Sequence, residues 1–138
     1  HTILYREEDI VSRVREITEG KGVPVVYDSV GKETFMSSID CLAAFGKLVS
    51  FGNASGPVEP FNPAMLGTKG SLFFTRQTLA THIASRELFE DAANQLFEVV
   101  LSGGVKIVIN RSFSLSETRQ AHEALESRRT TGSTILLP

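Results

Sequence analysis

Two turns gather the residues best suited to hold a ligand: Asp28-Ser29-Val30-Gly31 and Gly52-Asn53-Ala54-Ser55-Gly56. Each follows a strand-like apolar run, Val23 to Tyr27 in one case and Leu48 to Phe51 in the other, with an amphipathic helix pattern between them. Gly52 lets the backbone come close to a ligand, and the Asn53 amide can both donate and accept. Ser29 adds a hydroxyl at the end of the first run. Gly and Asn are also common turn formers, so a plain turn is the competing reading. In open parallel sheets, nucleotides bind beyond the carboxyl ends of the strands, where loops leave backbone groups free. A phosphate-gripping glycine loop is missing, however. Gly20-Lys21-Gly22-Val23-Pro24-Val25 lacks the final glycine and precedes a strand, whereas a dinucleotide fingerprint follows a strand and opens a helix. The two turns therefore read as the second half of a nucleotide-binding domain.

Other candidates for chemistry are weaker. His122 lies in a helical pattern beside Ala121 and Leu125 with no evident carboxylate or nucleophile, and is read as structural; His82 and His1 have less claim. Cys41, the only cysteine, excludes an internal disulfide and a cysteine-cluster zinc site, and reads as a packed, inert thiol. Glu7-Glu8-Asp9 reads as a helix amino terminus complementing the helix dipole rather than as a metal site. A net charge of −2 over 138 residues offers no broad attraction for nucleic acid or anionic lipid. No apolar run approaches the roughly 20 residues of a membrane span, so a cytoplasmic location is expected. The apolar start Thr2-Ile3-Leu4-Tyr5 suggests that the chain begins inside a structural element.

The elements that must position the turns follow from periodicity. Ile3 to Tyr5 is predicted as a short strand, and Asp9 as the N-cap of a helix carrying Ile10, Val11, Val14 and Ile17 on one face, stopped by Gly20 and Gly22. Val23 to Tyr27 suits a buried parallel strand with Pro24 near its start. A helix with Phe35, Ile39, Leu42 and Ala43 on one face should end at Gly46, followed by a strand from Lys47 to Phe51. Asn62 to Gly70 holds a short helix at most, and Ser71 to Thr75 returns to strand. The alternation argues for a parallel sheet. Ser85 to Leu101 forms the longest helix, with an unbroken apolar stripe that includes Leu88, Phe89, Leu96 and Phe97, ended by Gly103 and Gly104. Strands at Val105 to Ile109 and Ser112 to Leu115, a helix opened by Ser116, and a strand from Ser133 to Leu137 complete the chain.

Four motifs occur in order: Tyr5-Arg6-Glu7-Glu8-Asp9, Val26-Tyr27-Asp28-Ser29-Val30-Gly31, Ser50-Phe51-Gly52-Asn53 and Ala121-His122-Glu123-Ala124-Leu125-Glu126-Ser127-Arg128, closed by Gly132-Ser133-Thr134-Ile135-Leu136-Leu137-Pro138. Together they resemble the carboxyl-terminal part of a quinone oxidoreductase of the zinc-free, zeta-crystallin-like branch of the medium-chain dehydrogenase/reductase superfamily. The resemblance covers essentially the whole chain. It implies an α/β fold, a partial Rossmann domain whose doubly wound parallel sheet lacks its first two strands, with residues 1–104 as the second half of the cofactor-binding domain. Residues 105–138 would be a return segment that packs on a catalytic domain lying outside this chain. It also implies an NADPH-dependent enzyme, hydride transfer to a quinone, inactivity of this part alone, and a homodimer formed through the strand Gly70 to Arg76.

Residue by residue, the resemblance assigns Tyr5 and Arg128 to the 2′-phosphate of NADPH. A phenol can donate to an anion while its ring packs, and a guanidinium fork can hold phosphate oxygens in pairs, each bond contributing about 1.5–3 kcal/mol. The competing readings are an ordinary strand-end tyrosine and a cation at a helix carboxyl terminus, a task that Arg129 could share. Ser29, Phe51, Gly52, Asn53 and Ala54 would lie along the nicotinamide half, with Asn53 toward ribose or carboxamide. Phe74, Thr75 and Arg76 would reach the carboxamide through main-chain groups. Two rivals stand beside this reading: another zinc-free reductase of the enoyl reductase type, and a module that only dimerises through the apolar edge Leu72-Phe73-Phe74. In either case Ile3 to Tyr5 is expected to close the gap left by the missing strands, by pairing with the Val23 strand or with another chain.

Overall fold

Asp9 opens the first helix, α1 (Ile10–Ile17), by accepting the Ser12 amide at 2.7 Å, and its carboxyl is held below the ordinary range by that contact. The computed structural model describes residues 1–128 and 130–138, so Arg129 lies outside the described residues. Two compact units form, His1–His82 and Ile83–Pro138.

In the first unit the alternation seen in the sequence becomes a parallel sheet. Strands β1 (Val23–Asp28), β2 (Leu42–Ser50) and β3 (Phe73–Arg76) lie side by side in chain order. Helix α2 (Phe35–Asp40) links the first two, and α3 (Ala64–Thr68) precedes the third. Because side chains alternate along a strand, Val26, Leu48 and Phe74 fall on one face in a single row and enter the core with Phe35, Ile39, Leu42 and Leu72. The rings of Phe35, Phe61 and Phe74 pack with centroids 4.8 to 5.9 Å apart, two of the three contacts edge to face. The opposite face carries Tyr27, Lys47, Val49, Phe73 and Thr75, with Tyr27 73% exposed.

Several expected boundaries are corrected. Ile3 to Tyr5 is not a strand: Glu7 and Glu8 donate their amides to the Leu4 carbonyl, and Glu8 accepts from the Leu4 amide, so the segment curls into a turn leading to α1. It therefore does not pair with β1, which among the described residues pairs only with β2. The expected closure of that gap within the chain does not occur. Helix α2 stops at Asp40, and Leu42 and Ala43 belong to β2. The reason is tertiary: the Arg15 guanidinium takes the Asp40 and Leu42 carbonyls at 2.7 and 3.0 Å, and the Val23 amide takes Cys41 O at 2.9 Å. Helix continuation would need those same acceptors. Pro24 sits where the β1–β2 register slips, which spares the ladder its missing donor.

The second unit contains α5 (Arg86–Leu101), capped by Ser85, whose hydroxyl accepts the Leu88 amide; α4 (Leu79–His82), a turn of helix not anticipated, ends the first unit. Val105 to Val108 is irregular, and one strand, β4 (Ile109–Ser114), replaces the two expected there. A capping box between Ser114 and Glu117 starts a 3₁₀ turn that leads into α6 (Thr118–Glu126). Strand β5 (Ser133–Leu137) pairs parallel with β4. Among the described residues no helix is long and apolar enough to cross a membrane.

Candidate functional site

The row that follows Val26, Leu48 and Phe74 on the core face is polar: Asp28, Ser50 and Arg76 stand in register at the carboxyl ends of the three strands. Asp28 and Ser50 are buried, and the Arg76 guanidinium donates to Ser50 O at 3.0 Å. Ser50 and Arg76 of this rim line a cleft of about 480 Å³ together with Asn53, Phe61, Phe74 and residues of the proline-rich stretch Pro57 to Pro63. The apolar row beneath supplies rigidity, Ser50 and Arg76 border the cleft, and Asp28 is turned into the first turn.

The two turns beyond the rim are interlocked through their backbones. Phe51 donates its amide to Asp28 O at 2.9 Å, Ala54 to Ser29 O at 3.3 Å and Ser55 to Val30 O at 2.8 Å, and Lys32 returns a bond to Gly56 O at 3.1 Å. A Cβ on Gly52 would stand 2.2 Å from Ser29 O. The close approach that Gly52 permits is thus to the neighbouring turn. Asp28 itself accepts from the amides of Val30 and Gly31 and the hydroxyls of Thr34 and Ser38 at 2.7 to 3.0 Å. Burial alone would raise its carboxyl, but these donors from Gly31, Ser38, Thr34 and Val30 outweigh burial and hold it below the ordinary carboxylate range. Sequence reasoning named Asp28 as part of a turn and overlooked this role, although an aspartate two residues before a needed amide is a legible turn signal.

The structure unites most of the predicted residues. Ser29, Phe51, Gly52, Asn53 and Ala54 share the interlocked turns, and Asn53, Phe74 and Arg76 share the cleft. Phe51 is half exposed and does not line the cleft. Thr75 points to the other face, where its hydroxyl accepts from Gln77. Tyr5 is exposed in the turn before α1, in a shallow pocket made with its neighbours Ile3, Leu4, Arg6 and Glu7. Arg128 belongs to the second unit, just past α6, with a left-handed φ of 55° and its amide bonded to Leu125 O. His122 is exposed on α6.

A protein-family profile described as zinc-binding dehydrogenase matches residues 1–136. The chain belongs to this family. Within the zinc-binding dehydrogenases, the quinone oxidoreductase of Salmonella typhimurium is 53% identical over 138 residues, 99% of this chain and 42% of that protein. A 2-haloacrylate reductase from a Burkholderia species is 42% identical over 139 residues, again covering 42% of its length. Among solved structures, Escherichia coli quinone oxidoreductase complexed with NADPH superposes with a TM-score of 0.88 at 48% identity, over 99% of this chain and 42% of that one. The chain spans about 42% of the length of these relatives. The family resemblance carried by the four sequence motifs is thereby borne out.

Zinc, which the family name implies, does not fit the residues present. Among the described residues no group of three or more His, Cys, Asp or Glu could hold a metal ion. Cys41 is buried, and burial pushes its thiol up, away from the thiolate a metal requires. No step is assigned to zinc. A nucleotide fits better. The crevice lies beyond the carboxyl ends of parallel strands laid in chain order, as in the second half of a dinucleotide-binding sheet, and it exposes an aromatic edge and the Asn53 amide.

Proposed function

We propose that this chain is the cofactor-binding portion of an NADPH-dependent quinone oxidoreductase. The observation that carries the reading is the interlocked pair of turns over the Asp28–Ser50–Arg76 rim, in a chain 48% identical to an enzyme crystallised with NADPH. Phe51, Gly52, Asn53 and Ala54, with Ser29 behind them, would lie along the nicotinamide half, and the main chain of Phe74 to Arg76 would meet the carboxamide. Tyr5 and Arg128 would bind the 2′-phosphate and set the preference for NADPH over NADH. When bound, the cofactor supplies the hydride, and a proton from solvent completes reduction of the quinone to the hydroquinone. The residues of this chain orient and shield rather than exchange protons.

The acceptor would be chosen by residues outside this chain, since a 2-haloacrylate reductase matches the same stretch. The same proposal includes a division into a cofactor-binding part, 1–104, and a return segment, 105–138, together with inactivity of this part alone and a cytoplasmic location. It also includes a homodimer through Gly70 to Arg76. That reading is supported by the free outer edge of β3 and by Phe73, 57% exposed beside it. Sedimentation at rising concentration tests it, and a monomer throughout would remove it. The test of the main reading is calorimetric titration of the chain with NADPH and with NADH. Saturable binding with a clear preference for NADPH is expected; absence of binding to either would overturn a functioning cofactor site within this chain.

A further inference from the structure

Asp28 touches both turns by different routes. Its carboxylate, 5% exposed, gathers the Val30 and Gly31 amides and the Thr34 and Ser38 hydroxyls. Its carbonyl receives the Phe51 amide at 2.9 Å. The two peptide carbonyls that follow, Ser29 O and Val30 O, are aimed at the second turn and accept the amides of Ala54 and Ser55; the Ser55 hydroxyl adds a bond to Val30 O at 2.9 Å. In return the Glu33 amide donates to the Ser55 hydroxyl at 3.0 Å. Two of the glycines make the fit possible: a Cβ on Gly31 would stand 2.5 Å from Gly56 O, and one on Gly52 would meet Ser29 O. The second turn thus takes its shape from carbonyls whose orientation is fixed in the first, and the first is held by one buried anion.

We propose that Asp28 is the positioning residue of the Phe51–Gly56 turn, acting through the Ser29 and Val30 carbonyls, and that the nicotinamide half of the cofactor is held there only while Asp28 keeps its four donors. This rests on the cofactor reading above. An amide in place of the carboxylate loses the charge that draws the Val30 and Gly31 amides to one oxygen, and its NH₂ group would force the Thr34 and Ser38 hydroxyls to turn from donors into acceptors. The first turn would then relax, and with it the second, at a distance from any residue that meets the ligand. Asp28 is not itself a contact of the cofactor in this scheme.

The test compares wild type, Asp28→Asn and Leu72→Ala. Leu72 is a buried core residue just before β3, at the end of the strands opposite the turns, so its truncation lowers stability without touching them. Amide hydrogen exchange of Ala54 and Ser55, normalised to amides of β2, and NADPH affinity are both read under conditions where each variant is folded. Asp28→Asn is expected to speed exchange at Ala54 and Ser55 at least tenfold and to weaken NADPH at least fivefold, while Leu72→Ala leaves both near wild type. Unchanged protection of Ala54 and Ser55 in Asp28→Asn overturns the proposal. Faster exchange with unchanged NADPH affinity overturns its link to the cofactor. If wild type itself binds no NADPH, the cofactor reading fails and the exchange ratio alone decides whether Asp28 positions the turn. Should Asp28→Asn not fold, Ser38→Ala removes one donor and is expected to shift both readouts in the same direction about twofold; no shift counts against the proposal.

Discussion

The two strand-end turns of the first unit and helix α5 of the second use their residues in opposite ways. In the turns, polar groups are paired within a span of a few residues on each side, and one buried carboxylate is satisfied by four donors. In α5 the apolar stripe of Leu88, Phe89, Leu96 and Phe97 stays about half exposed, and none of its residues is buried. Its order rests on the Ser85 cap and on short-range pairs such as Arg86–Glu90 and Gln95–Asp91. The contrast teaches that the turns are specified by directional bonds, which hold whatever surrounds them. The helix is specified by local propensity, which supplies only tenths of a kcal/mol per pair.

The largest expected effect tests the interlock. Gly31→Ala combines a left-handed φ of 90° with a Cβ 2.5 Å from Gly56 O, and should cost about 3–4 kcal/mol in urea unfolding. Gly20→Ala, at φ 81° with nothing within 4 Å, meets the conformational penalty alone and should cost about 1 kcal/mol. The difference between them isolates the packing of one turn on the other. Equal losses would break the comparison, because they would mean that the turns merely adjoin.

Next in size is the carboxylate. Asp28→Asn should cost about 2–3 kcal/mol near neutral pH, the range for losing charged hydrogen bonds in a buried site. Since the folded-state carboxyl is held below its ordinary value, its contribution is complete above about pH 4 and is lost as pH falls through the depressed value. The gap between wild type and the Asn variant should therefore close in acid. A gap that stays constant to the acid limit would mean that shape, rather than charge, makes Asp28 matter.

What was legible in the sequence follows the same divide. The parallel sheet and the Asp9 cap are legible because period and cap chemistry are local, whereas the strand order and the Ser85 cap appear only in the fold. The end of α2 was misread, since Leu42 and Ala43 continue the helical spacing and only the distant Arg15 shows why the helix stops at Asp40. Ile3 to Tyr5 has the composition of a strand but no strand beside it, and a lone strand leaves its backbone groups unpaired. Gly52 stands out in the sequence as a place where backbone could approach a ligand, and in the fold the group it approaches is the Ser29 carbonyl, which no spacing rule reveals. The interlock as a whole was hidden because its bonds join backbone atoms more than twenty residues apart, and backbone atoms have no sequence signature.

The smaller effects sharpen the other side of the contrast. Ser85→Ala removes the acceptor of the Leu88 amide and should cost about 1 kcal/mol of local helix stability, seen as faster exchange in the first turn of α5 with β1 and β2 unchanged.

Phe97→Gln is the most demanding test, because the two views of α5 predict very different numbers. Phe97 is 59% exposed, and glutamine is at least as good a helix former, so a change within about 0.5 kcal/mol is expected. A loss near 3 kcal/mol, the size seen when a buried aromatic is removed, would mean that the stripe is covered in solution and that α5, like the turns, is specified by what it touches. The turns would then differ from the helix only in the kind of bond that holds them.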